Sequence, residues 1–128
     1  MKLPLRIGLV LCAVLVVFSV GYAAGMNRYG MPKTLIHVVI IQWKPTTSMA
    51  ERQKVIDGVK QMAAAIPGIE DIWIKPVRVG SLKWNTAFAI EFANQAAANR
   101  YANNPVHAAW SKLEQVARED SLNVQISN

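Results

Sequence analysis

Leu35-Ile-His-Val-Val-Ile-Ile-Gln-Trp43 decides the fold. β-Branched residues dominate it and Lys44-Pro45 closes it, which is the signature of a β-strand. Side chains alternate along a strand, so Leu35, His37, Val39, Ile41 and Trp43 share one face and Ile36, Val38 and Ile40 the other. A strand apolar on both faces must be covered on both.

Outward from this strand, the next segment reads as a helix. Ser48-Met-Ala-Glu51 fits a capping box, and Val55, Val59, Met62 and Ile66 then repeat as one apolar stripe. Gly58 weakens that helix by about 1 kcal/mol relative to alanine, and Pro67-Gly68 stops it. Residues 69–79 read as a second strand, with Ile72 and Ile74 opposite Trp73; Pro76 marks it as an edge strand or a bulged one. A loop over 80–85 leads to a third strand over 86–93, with Phe88, Ile90 and Phe92 on one face. Asn94 caps a short helix over 95–102, which Asn103-Asn104-Pro105 interrupts. A second helical stretch follows, its stripe formed by Val106, Ala109/Trp110, Leu113 and Val116/Ala117. The last strand, 121–127, turns Leu122, Val124 and Ile126 inward. The order is βαββαβ, an α+β ferredoxin-like sandwich. Such a sheet carries its helices on one face. The apolar far face predicts a homodimer with two sheets packed together, a dimeric α/β barrel.

Ahead of this domain, residues 7–26 carry no charge, and Lys2 and Arg6 precede them. The small residues Gly21, Ala23, Ala24 and Gly25 fit a cleaved signal peptide. The same 20 residues would also just span a membrane as a retained anchor. Either way the rest of the chain is delivered across the membrane. The organisation is therefore an export segment at 1–25, a linker at 26–33 and one domain at 34–128. With 52% hydrophobic and 17% charged residues, the 128-residue chain is not a disordered one. The formal charge of +6 falls to +4 once Lys2 and Arg6 are set aside. Cys12 lies in the apolar block, so the domain has no disulfide, thiolate nucleophile or cysteine metal site. No glycine-rich phosphate loop, basic run or nucleic-acid motif is present. Lys75, Arg78 and Lys83, near Trp84, form either a solvated edge or a contact for anionic lipid headgroups.

Three stretches together resemble the stress-responsive A/B barrel (Dabb) family. They are Ile36-His-Val-Val-Ile-Ile-Gln-Trp-Lys44, Ile66-Pro-Gly-Ile69, and Tyr101-Ala-Asn-Asn-Pro-Val-His-Ala-Ala-Trp110. The resemblance covers residues 35 to about 127 and implies the same dimeric barrel. It also implies a choice of functions, since family members include plant stress proteins and an olivetolic-acid-forming polyketide cyclase. By motif position the cyclase's tyrosine and histidines match Tyr101, His107 and His37, with the pocket histidine as base. Asn104 stands where the family often has histidine.

His107 is the leading candidate for chemistry, because an imidazole takes and returns a proton near neutral pH. Tyr101 could hold a carbonyl oxygen, but on one regular helix the two would lie about 120° apart, since each residue turns about 100°. The Asn104-Pro105 break is therefore needed to bring them together. The alternative for His107 is a helix-capping or core-edge role. His37 lines the same pocket or pins the backbone. Trp110, Phe88 and Trp73 either line an aromatic ligand pocket or pack as plain core. No metal-ligand spacing is present and no cofactor is implied. Three functions remain open: binding of a small hydrophobic or aromatic ligand or a protective role without turnover; cyclase- or lyase-like catalysis by His107 and Tyr101; and a monooxygenase-type barrel.

Overall fold

The computed structural model describes residues 33–127, together with Cys12, Ala13 and Val16. Apart from those three positions, residues 1–25, read above as an export segment, lie outside the described residues. Among the described residues, no helix is long and apolar enough to cross a membrane.

The elements are β1 (Leu35–Trp43), α1 (Met49–Ala65), β2 (Ile69–Trp73), β3 (Thr86–Phe92), α2 (Gln95–Ala102), α3 (Pro105–Ala117) and β4 (Arg118–Ser127). They build one antiparallel sheet in the order β2-β3-β1-β4. The central strand spans the residues expected. The Ser48 hydroxyl accepts the Glu51 amide, and the Glu51 carboxylate accepts the Ser48 amide at 2.7 Å, so the capping box forms. The α1 stripe also forms: Val55, Val59 and Met62 are fully buried and Ile66 nearly so. These pack on Leu35, Val39, Ile41, Phe88, Ile90 and Phe92 of the sheet, with Ala97, Tyr101, Trp110 and Ala117 closing the core. Gly68 turns the chain from α1 into β2 at φ +93°, a left-handed conformation that favours glycine.

Three expectations are corrected. First, β2 ends at Trp73 rather than 79, and the chain runs irregularly to β3. Pro76 has no amide to extend the ladder, and Val77 and Leu82 are fully exposed. Second, the apolar stripe assigned to α3 is rotated. Trp110, Glu114 and Ala117 are buried, while Leu113 and Val116 are exposed. Third, Leu122, Val124 and Ile126 do not face the helices. The β1–β4 register sets them opposite Ile40, Val38 and Ile36, on the open face, where each is about half exposed. Trp73 stands on that face beside Ala89. The helix-facing positions of β4 are instead polar: Ser121, Asn123 and Gln125 lie opposite Ile41, Val39 and His37. That alternation leaves one sheet face apolar and uncovered, and makes one corner beneath the helices hydrophilic.

Candidate functional site

The hydrophilic corner forms where α3 passes over β1 and β4. Asn103 ends α2, and the Asn104 side chain accepts the Val106 amide at 2.9 Å to start α3, with Pro105 in its first turn. The break reorients the chain between Tyr101 and His107. The rings of Tyr101 and His107 meet with centroids 4.2 Å apart, and His37, near the start of β1, lies 6.3 Å from Tyr101. Phe92 packs on the other side of Tyr101 at 4.9 Å.

A cavity of about 240 Å³ opens beside this cluster. His37 and Val39 form its floor, α3 contributes His107, Trp110, Ser111 and Glu114, and Arg118, Ser121 and Asn123 complete it. Trp110 is fixed by its indole N–H, which donates to the Val55 carbonyl at 2.8 Å, and by an edge-on contact with Phe88 at 5.6 Å. A larger hollow of about 470 Å³ lies between α1 and α3, but no buried titratable side chain lines it.

The electrostatics of the corner favour neutral imidazoles. Burial lowers the pKa of His37 below its ordinary value, and nearby His107 lowers it further. Burial also lowers that of His107, partly opposed by its contact with the Ala102 carbonyl. His107 Nδ1 lies 3.4 Å from that carbonyl oxygen. A carbonyl only accepts, so this contact assigns the proton to Nδ1 and the lone pair to Nε2. Burial, reinforced by the charge of Glu114, raises the Tyr101 phenol and keeps it protonated. Glu114 is itself raised by burial, against the pull of Arg118, whose Nε donates to its Oε2 at 3.0 Å. His37 Nδ1 is fully buried and, among the described residues, has no hydrogen-bond partner.

His107, His37 and Trp110 therefore share one cavity. Tyr101 stands behind His107 rather than on the wall, and Phe88 supports Trp110 from the core. Trp73 is on the opposite face of the sheet and cannot join them. Sequence reasoning missed Glu114, Arg118, Ser121 and Asn123. Glu114 lies two helical turns after His107, which was the available signal. The β4 pair was readable from its polar alternation against Leu122 and Val124. Among the described residues, no group of three histidine, cysteine or carboxylate side chains converges as a metal site requires.

A family model described as the stress responsive A/B barrel domain, Dabb, matches residues 35–126. A search of curated proteins found no match. Among solved structures, the chain is similar to a Dabb family protein of ferredoxin-like fold from Mesorhizobium loti, with 24% identity and a TM-score of 0.64 over 74% of this chain and 96% of that one. It is similar to a hydroxynitrile lyase from Passiflora edulis, with 14% identity and a TM-score of 0.69 over 76% and 94%. A dimeric ferredoxin-like protein of unknown function from Jannaschia shows 19% identity and a TM-score of 0.66 over 74% and 99%. At these identities the likeness is one of fold. The family match spans the whole of the described domain except its ends, and the chain belongs to the Dabb family.

Proposed function

We propose that this Dabb domain works as a homodimer whose helix-side cavity binds a small carbonyl compound and moves a proton on it. The observation that carries the reading is the cavity that His37 and His107 line together, with Tyr101 packed against the His107 ring. With Nδ1 sealed from solvent, His37 can meet a ligand only through its other ring nitrogen, Nε2. His107 Nε2, unprotonated at neutral pH, is the base that removes a proton next to the carbonyl. His37 offers the carbonyl oxygen an N–H, since a neutral imidazole always keeps one. Tyr101 presses on the His107 ring and holds its orientation. The walls are more polar than a purely hydrophobic ligand would need, and about 240 Å³ is below the usual drug-sized range of about 300–1,000 Å³. Lyase chemistry on this fold, as the name of the Passiflora protein states for that protein, is compatible with such a site.

The dimer reading rests on the open sheet face, where Ile36, Val38, Ile40, Leu122, Val124 and Ile126 form one apolar surface, and on the dimeric relative of this fold. The uncharged run at 7–26 supports export or anchoring, which protease accessibility in whole cells would test. For the catalytic reading, the test is α-proton exchange of acetone and hydroxyacetone in D₂O, followed by NMR. The protein accelerates exchange over buffer, His107→Ala returns it to the buffer rate, and His37→Gln lowers it by at least about tenfold, within the range of general acid–base catalysis. Equal rates in all three proteins would reject the mechanism.

A further inference from the structure

We infer that Glu114 selects the ligand: it accepts a hydrogen bond from a hydroxyl group on a small, neutral carbonyl compound whose carbonyl oxygen lies against His37. The inference rests on the cavity function proposed above and names its substrate class. Glu114 is 5% exposed and lines the same cavity as His37 and His107. Arg118 Nε occupies its Oε2. The guanidinium is held in turn by the Ser121 hydroxyl, so the carboxylate is fixed by a partner that belongs to β4 and also lines the cavity.

Packing does not explain this residue. Its neighbours on the buried face of α3 are Trp110 and Ala117, and an aliphatic side chain would fill the position. Replacing a buried ion pair by hydrophobic residues is often neutral or stabilising, whereas an ionised carboxylate there must be desolvated. A costly charge facing a cavity is the pattern of a binding residue. Its chemistry fixes what it binds. A carboxylate accepts and does not donate, so the ligand brings the donor; a ligand carboxylate would meet like charge at Glu114, and Arg118, which also lines the cavity, is already paired with it. The cavity thus has two polar ends: the imidazoles on the β1 side, and the carboxylate with Ser121 and Asn123 toward β4. A compound with a carbonyl at one end and a hydroxyl at the other satisfies both.

The experiment titrates the full chain with acetone, hydroxyacetone and acetate, watching the His37 and His107 ring resonances and the Glu114 carboxyl carbon by NMR. Hydroxyacetone is expected to bind about tenfold more tightly than acetone, a difference of about 1.4 kcal/mol, and acetate more weakly than either. The Glu114 carbon moves with hydroxyacetone and not with acetone, a readout on the unsubstituted protein that does not depend on any variant folding. In Glu114→Leu the preference collapses to within about twofold. Equal affinities for the two ketones, an unmoved Glu114 carbon, or a preference that survives Glu114→Leu overturns the inference and leaves the cavity reading standing. If neither ketone moves either imidazole, the cavity reading falls, and this inference with it.

Discussion

Replacing Gly58 by alanine sets two principles against each other. On helix propensity alone the change should stabilise α1 by about 1 kcal/mol. The structure gives the opposite sign. A Cβ at Gly58 would stand 2.4 Å from Trp110 Cδ1 and 3.0 Å from its Nε1. Trp110 is 9% exposed, and its indole N–H is bonded to the Val55 carbonyl on the same helix as Gly58. It cannot move away without losing that bond and its edge contact with Phe88. Overpacking typically costs about 1–3 kcal/mol. A lost buried hydrogen bond adds about 1 kcal/mol. After subtracting the propensity gain, Gly58→Ala should destabilise by about 1–3 kcal/mol, which lowers the melting temperature of a domain this size by about 4–24 °C. Thermal unfolding followed by circular dichroism reads this directly. Because Trp110 also lines the cavity, ketone exchange should weaken in the folded variant. A melting temperature equal to or above that of the parent would refute the packing account of Gly58.

Two other predictions follow from burial. The folded-state pKa of His37 is lowered, so the unfolded chain binds more protons through the window between that lowered value and about 6.5. Stability should therefore fall as pH drops from 7 toward 5; His107 acts in the same direction and Glu114, with its raised pKa, in the opposite one. His37→Gln should flatten the fall in melting temperature, and an unaltered slope would show that His37 does not titrate as a buried group. On the open sheet face, Val124→Asp should leave the fold intact and shift native mass spectra from dimer to monomer, since Val124 is half exposed in the single chain. A persistent dimer would move the interface elsewhere.

Most of the fold was legible because its signals are local. The alternation in 35–43, the capping box at Ser48 and the Pro67-Gly68 stop act within a few residues of themselves, and β1 and α1 formed where they were read. Two misreadings share a cause. On α3, counting apolar residues favoured Leu113 and Val116, but the buried face follows Trp110 and so takes Glu114 inward. On β4, apolar residues were assumed to face the helices, yet pairing with β1 turns them to the open face. In both cases a long-range partner decided which side is the interior, and only the assembled sheet supplies it. The site was half visible for the same reason. Tyr101, His107 and His37 carry recognisable residue types, and the Asn104-Pro105 break announced that two of them could meet. Glu114, Arg118, Ser121 and Asn123 converge only through the β1–β4 register and the rotation of α3.

The central claim is that two neutral imidazoles face one ligand cavity, and ¹⁵N-detected NMR of the histidine rings tests it most directly. At pH 7 both His37 and His107 should be neutral, with His107 protonated at Nδ1; both should titrate below 6.5, and both should shift together when hydroxyacetone is added. Imidazoles that titrate at or above 6.5, or that do not respond to the ketone, would contradict it.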